Sequence, residues 1–232
     1  MPLPRSDRRV EHVLKVLRRG VGEPFDAGVI NGTRGKAEIR ELTETRATFA
    51  YVPATTPPVT EPITVVVGLP RPQTARDILR DATTLGIAAL HFVRTERGDA
   101  SYAQSTLWSS GEWRRHAIAG AEQAFETTVP AISCGKRLPD VLDAVCTADP
   151  NEAQIRIALD NYEAPLALSQ IPFLTETNVL LAVGPERGWS SEERAMFRTR
   201  GFQLAHLGTR VLRTETAVLA AVTLARSKLG LM

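Results

Sequence analysis

Two loops near the C-terminal end hold the residue types best suited to chemistry. The first, Gly184-Pro185-Glu186-Arg187-Gly188-Trp189, follows the apolar run 178–183 (NVLLAV); the second, Leu207-Gly208-Thr209-Arg210-Val211-Leu212-Arg213, follows another short apolar stretch. Glycines there let the backbone come close to a flat polar ligand, and exposed amides and carbonyls can read an adenine edge and ribose hydroxyls. A phosphate cradle fits poorly. Residues 184–190 lack the Gly-Lys-Ser/Thr ending of a P-loop, and no G-x-G-x-x-G follows any strand-like run. Taken singly, Gly184, Gly188 and Gly208 read equally well as turn residues. Their recurrence in two successive units favours a site.

Those loops need strands and helices to place them. Residues 178–183 read as a buried strand, and Ser190 with Glu193 forms a Ser-x-x-Glu capping box, so a helix starts at about 191 and ends before Gly201. Residues 202–207 give the next strand, and Thr214 is expected to cap a last helix running to about 228. Both loops then lie at the carboxyl ends of strands, where open α/β sheets bind ligands. Upstream, the β-branched run 63–69, a helical stretch 74–85, a stop at Gly86 and a strand at 87–93 make a βαβ unit. Helical stretches at 113–126 and 138–145 and a strand at 153–159 continue the alternation, which implies a mostly parallel sheet covered by helices.

The beginning of the chain differs. An amphipathic helix is expected over 7–19, stopped by Gly20, and the segments 25–30, 36–42 and 47–52 alternate as strands of a small β-rich module. Pro53, Pro57, Pro58 and Pro62 mark a linker. The expected domains are residues 1–58 and 59–232.

With 43% hydrophobic and 23% charged residues, the chain cannot be extensively disordered. No apolar run approaches the roughly 20 residues of a membrane helix, and the basic N-terminus leads into a charged amphipathic segment, so a cytoplasmic chain is expected. Cys134 and Cys146 lack zinc-site spacing, and His12, His91, His116 and His206 are scattered, so no metal is expected. The net charge of +2 does not by itself point to nucleic acid. Basic residues recur before residue 50, however, with Arg8, Arg9, Lys15, Arg18 and Arg19 around the first helix, a candidate electrostatic footprint.

The first loop as Gly184-Pro185-Glu186-x-Gly188, and the second continued through Arg213-Thr214-Glu215-Thr216-Ala217, resemble the two signature motifs of the ribosomal RNA small-subunit methyltransferase E family. These are uridine-N3 methyltransferases of the SPOUT or trefoil-knot superfamily. Weaker matches at His12-x-x-x-Val16-Leu17-Arg18, Leu85-Gly86, Ala121-Glu122-Gln123 and Val129-Pro130 extend the resemblance over nearly the whole chain. The resemblance implies a PUA-like β-barrel that grips RNA, then an α/β domain whose C-terminal part forms a trefoil knot, a topology that chain-path rules alone would exclude. It also implies S-adenosyl-L-methionine as methyl donor, a homodimer, and ribosomal RNA or the small ribosomal subunit as partner. Carried onto this sequence, the donor site comprises Leu159, Val183, Gly184, Pro185, Glu186 and Gly188 from one side. Leu207, Gly208, Val211, Leu212 and Thr216 supply the other.

Methyl transfer to uracil N3 displaces a proton, so a cation near the uracil oxygens would help, and Arg213 is the first candidate. A salt bridge from Arg213 to Glu186 or Glu215 is an equally good reading. Glu186 could orient Arg213 or accept a hydrogen bond from the donor; Arg210, with Arg18 and Arg19, could contact RNA phosphates. Where the family commonly carries Gly-Gly this chain has Arg187-Gly188, and Asp81, Thr84 and Glu126 replace a Lys, a Glu and an Arg of the family. Those reversals keep open an alternative: a knot-fold RNA-binding or ribosome-assembly protein with lost or retargeted activity. The last helix, apolar on almost every side from Ala217 to Ala225, suits burial within and between subunits, or inside a monomer.

Overall fold

The structure is a computed structural model that describes residues 1–56, 58–146, 153–173 and 177–232. Residue 57, in the middle of the proline-rich linker, lies outside the described residues. Two compact units emerge: Met1–Val59 with Phe125–Thr128, and Thr60–Ala124 with Val129–Met232.

In the small unit, β1 (Pro2–Pro4), β2 (Phe25–Gly28), β3 (Arg34–Leu42) and β4 (Arg46–Pro53) pair antiparallel in the order β1-β4-β3-β2. Among the described residues β1 and β2 are the two edges of this sheet and do not pair with each other. The helix α1 (Arg8–Glu11) is capped by Asp7, whose carboxylate accepts from the Arg9 amide, and runs on as a π-helical turn over His12–Val16. It ends earlier than expected, because Arg18 rather than Gly20 takes the left-handed conformation (φ 53°). Val10 and Val13 pack on Ile39, Ala47 and Phe49, giving this unit its own core. The short segment Phe125–Thr128 joins it: Asn31 N–H donates to the Thr127 carbonyl (2.8 Å), and the Thr127 hydroxyl donates to the Gly32 carbonyl (2.7 Å). Sequence patterning had placed that segment in the α/β part.

The large unit contains β5 (Glu61–Gly68), α2 (Pro72–Thr84), β6 (Ile87–Arg94), α3 (Thr106–Ser109), α4 (Glu112–Gln123), β7 (Ala131–Arg137) and α5 (Leu138–Val145). These are followed by β8 (Gln154–Leu159), β9 (Leu166–Ala167), β10 (Asn178–Val183), α6 (Ser191–Thr199), β11 (Gln203–His206) and α7 (Thr214–Lys228). Seven strands form one sheet in the order β7-β6-β5-β10-β8-β11-β9, and every pairing is parallel. A parallel sheet is covered on both faces, which explains the unbroken apolar runs of β5 and β10. One face buries Val65, Leu90 and Leu181 with Leu79 of α2 and Val222 of α7. The other buries Val66 and Leu180 with Leu142 of α5 and Phe197 of α6. Strands β7 and β9 carry no clear alternation, the first being interrupted by Gly135 and ending in Lys136 and Arg137, and neither is legible in the sequence.

Register fixes where the strands end. Val183 of β10 lies beside Val67 of β5 and Leu159 of β8, and Leu159 lies beside Ala205 of β11. Four strands therefore deliver their carboxyl ends at one level. The chain reaches β11 on the far side of β8 from β10 and then returns through α7 to β10 and β5. Ser190 and Glu193 form the expected reciprocal cap of α6 (3.0 and 2.9 Å). At α7 the cap differs from expectation: Arg213 takes the N-cap position without a side-chain cap, and Thr214 is the first helical residue.

Candidate functional site

The loop after β10 is a tight turn closed by Gly188 N–H to the Pro185 carbonyl (2.8 Å), with Gly188 at φ +66°. A side chain at Gly184 would come within 3.2 Å of the Gly188 Cα, and one at Gly68, at the end of β5, would strike Pro185 at 2.4 Å. Close backbone approach is thus required here, as the two glycines of the motif suggest. Trp189 is fully buried; its indole N–H donates to the Leu159 carbonyl (3.0 Å), and its ring meets Phe197 edge-on at 4.7 Å. That bond ties the loop after β10 to the end of β8.

The loop after β8 is organised by Asp160, which is 4% exposed. Its Oδ1 accepts from the amides of Tyr162 (2.8 Å) and Glu163 (2.6 Å), its Oδ2 from Arg194 Nε (2.7 Å), and its own amide donates to Ala205. Arg194, 5% exposed, also lies under the Tyr162 ring at 5.1 Å. In the loop after β11, Gly208 adopts φ +109° and its amide donates to His206 Nδ1 (3.1 Å).

These three loops enclose one open cleft. Leu159, Val183, Gly184, Pro185, Glu186 and Gly188 line it together with Leu207, Val211 and Leu212, as expected. Asp160, Tyr162, Trp189, Thr214 and Ala217 also line it, and the sequence reading missed them. Asp160 has a legible signal, a carboxylate directly after an apolar strand; Trp189, Thr214 and Ala217 fall within the two motifs, and Tyr162 has no signal. Gly208, Thr216, Arg210 and Arg213 fall outside the lining, all four exposed on the loop or the first turns of α7. Arg18 and Arg19 are exposed in the small unit.

Arg213 makes no ion pair among the described residues, so the bridges to Glu186 or Glu215 do not form. Glu186 Oε1 instead accepts from the backbone amide of Arg71 (3.1 Å), linking the loops after β5 and β10. The substituted positions are also spoken for. Asp81 pairs with Arg80 (2.7 Å), Glu126 with Arg34 (3.2 Å), and the Thr84 hydroxyl donates to the Gly120 carbonyl (3.1 Å). Burial pushes the Cys134 thiol up to about 12, which leaves it protonated and unreactive near neutral pH. Among the described residues there is no group of side chains that could hold a metal ion, and no helix is long and apolar enough to cross a membrane.

A family model for an RNA methyltransferase domain matches residues 57–226. The ribosomal RNA small subunit methyltransferase E of Treponema pallidum is 33% identical over 216 residues, covering 93% of this chain and 81% of that protein. The chain belongs to the ribosomal RNA small subunit methyltransferase E family. A second methyltransferase E, from Borreliella burgdorferi, is 28% identical and covers 97% of this chain and 92% of its own. The crystal structure of a methyltransferase E from Neisseria gonorrhoeae bound to S-adenosyl methionine superposes with a TM-score of 0.79 at 26% identity, over 98% of this chain and 91% of that one. The cleft described above lies within the part of the chain that the family model matches, at the aligned ends of β5, β10, β8 and β11.

Proposed function

We propose that this chain is an S-adenosyl-L-methionine-dependent methyltransferase that modifies N3 of a uridine in small-subunit ribosomal RNA, acting as a cytoplasmic homodimer. The convergence of the three loops on one cleft carries this reading. The cleft suits a nucleoside without phosphates: Leu159, Val183, Leu207 and Leu212 offer apolar walls, Gly184 and Gly188 bare their backbone, and no P-loop lysine is present. When bound, the donor supplies a methyl group activated by its sulfonium. The residues around it hold the reactants in place, and most of the rate gain for such a displacement comes from that positioning. Methylation replaces the N3 proton, so negative charge develops on the uracil oxygens. Arg213, exposed at the start of α7 and in no ion pair among the described residues, is available to stabilise it. Glu186, engaged with the Arg71 amide, positions the loop rather than taking the proton.

The trefoil knot of this reading is supported by a chain that passes β8 to reach β11 and then returns through α7 to β10 and β5. The small unit, with Arg18 and Arg19 exposed, takes the RNA-gripping role of a PUA-like domain, and Arg210 is placed to reach RNA near the cleft. Homodimer formation through α7 is consistent with Leu219 and Ala220 being only half-buried in one chain. Purified protein given labelled donor and unmodified small-subunit RNA is expected to yield 3-methyluridine by nucleoside mass spectrometry. Arg213→Ala should lower kcat by about 10²–10³. Robust donor binding with no transfer to any ribosomal substrate would overturn the reading.

A further inference from the structure

We propose that a second pocket, next to the donor cleft, seats a backbone phosphate of the RNA substrate between Arg71, Arg97 and Arg187; this rests on reading the chain as an RNA methyltransferase. The pocket has a volume of about 400 Å³ and lies where the loops after β5, β6 and β10 meet. Each loop contributes one arginine to its wall. None of the three guanidinium groups is in an ion pair among the described residues, whereas Arg76, Arg194 and Arg226 of the same unit are committed to carboxylates. The two acidic residues of the lining already have partners. Glu186 accepts from the Arg71 amide (3.1 Å), and Asp99 accepts from the Ser101 amide and hydroxyl (2.9 and 2.7 Å). The lining thus sets three guanidinium groups against two carboxylates and keeps a net positive charge that an anion can meet.

The arginines are held by anchors on the backbone of each loop. Besides the Glu186 bond, the buried carboxylate of Glu193 accepts from the Glu96 amide (2.9 Å), fixing the loop that carries Arg97. Arg97 in turn donates to the Arg187 carbonyl (3.3 Å). The three cations outnumber the two carboxylates beside them, so an anion entering the pocket is attracted, and loops ordered in advance lose little entropy on binding. Guanidinium forks match phosphate oxygens. The volume exceeds that of a lone phosphate group and leaves room for the attached sugars. Glu186 and Arg187 line both this pocket and the donor cleft, so a phosphate held here lies one loop away from the donor. Arg187, which replaces a glycine of the family motif, is thus a substrate-positioning residue.

The test uses Arg97→Ala, Arg187→Ala and Arg97→Lys in the full chain, with unmodified small-subunit ribosomal RNA as the probe. Each alanine variant is expected to weaken RNA binding about tenfold and to flatten the dependence of log K on log salt by about 0.7–0.9, the loss of one phosphate contact. For Arg97→Ala, KM for RNA should rise about tenfold with kcat changed less than twofold and donor binding in calorimetry as tight as the parent's, and Arg97→Lys should recover most of the affinity. Unchanged RNA affinity and salt slope would overturn the proposal. A tenfold loss of donor affinity in Arg97→Ala would also overturn it, assigning the pocket to the donor's carboxylate. Should the parent transfer no methyl group, the methyltransferase reading fails, and the salt slopes still decide the pocket.

Discussion

Asp160 concentrates four interactions in one buried side chain and its amide, and the loop it shapes forms a wall of the donor cleft. Its partner Arg194 is equally inaccessible, so removing the carboxylate leaves a buried cation with only the longer contact to Glu163 (3.5 Å). Breaking such a pair costs about 3–5 kcal/mol. Asp160→Ala is therefore expected to lose up to about that much stability in urea unfolding, and a loss under 1 kcal/mol would show that Glu163 takes over Arg194. Trp189 offers a milder probe. Trp189→Phe keeps the contact with Phe197 but deletes the bond to the Leu159 carbonyl, at a cost of about 1–3 kcal/mol for the unsatisfied acceptor. Donor affinity should fall with it, because that carbonyl ends the strand that lines the cleft; an unchanged donor Kd would separate the two. Asp160 was open to recognition from sequence as a polar residue ending an apolar strand. The Trp189 bond was not, since it joins residues 30 positions apart that only the sheet register brings together.

Helices α2 and α4 show how an element depends on one small residue. Gly120 lies in α4, and a side chain there would come within 2.1 Å of the Arg80 carbonyl of α2. Alanine gains about 1 kcal/mol of helix propensity over glycine, but overpacking against a backbone atom costs about 1–3 kcal/mol. Gly120→Ala should therefore lower Tm; a rise would mean that α4 shifts freely. The same helix pair carries a pH-sensitive contact. The Arg76 guanidinium, and then His116, hold the Glu112 carboxyl down at about 2 from its ordinary 4.5. A depressed folded value means that this contribution is complete above about pH 4.5 and is lost as pH falls toward 2. Glu112→Gln should flatten that stretch of the Tm–pH curve, and parallel curves for parent and variant would contradict the assignment. Periodicity located both helices within a few residues. Their mutual approach was invisible, because a glycine inside a helix reads only as a weak spot until its neighbour is known.

At the scale of the molecule, the small unit is proposed to grip RNA and the large unit to hold the donor and one RNA phosphate. A chain beginning at Thr60 should bind the donor within about threefold of the parent yet lose RNA affinity and part of its salt slope, which falls by about 0.7–0.9 per phosphate contact. Equal RNA binding by both chains, measured by anisotropy across salt concentrations, would remove the RNA role from the small unit. The unit boundary at Val59 follows a proline-rich stretch that punctuates the sequence, but the return of Phe125–Thr128 to the small unit is a long-range pairing that no local pattern encodes.

The sequence by itself determined the βα alternation, the capped start of α6, the parallel sheet and the two glycine loops, because periodicity, caps and turn residues act over a few positions. Its resemblance to the methyltransferase E family is borne out by the comparisons. Tertiary structure alone decided the rest. Strand order and register put the ends of β5, β8, β10 and β11 at one level, and this turned two loops of a motif into a cleft with a third wall from Leu159 and Asp160. It also decided which charges are paired: Asp81, Glu126 and Arg194 are spent in ion pairs, while Arg71, Arg97, Arg187 and Arg213 are in none among the described residues. Charge is written in the sequence, but whether a neighbour neutralises it depends on which distant loops the fold brings within a few ångströms.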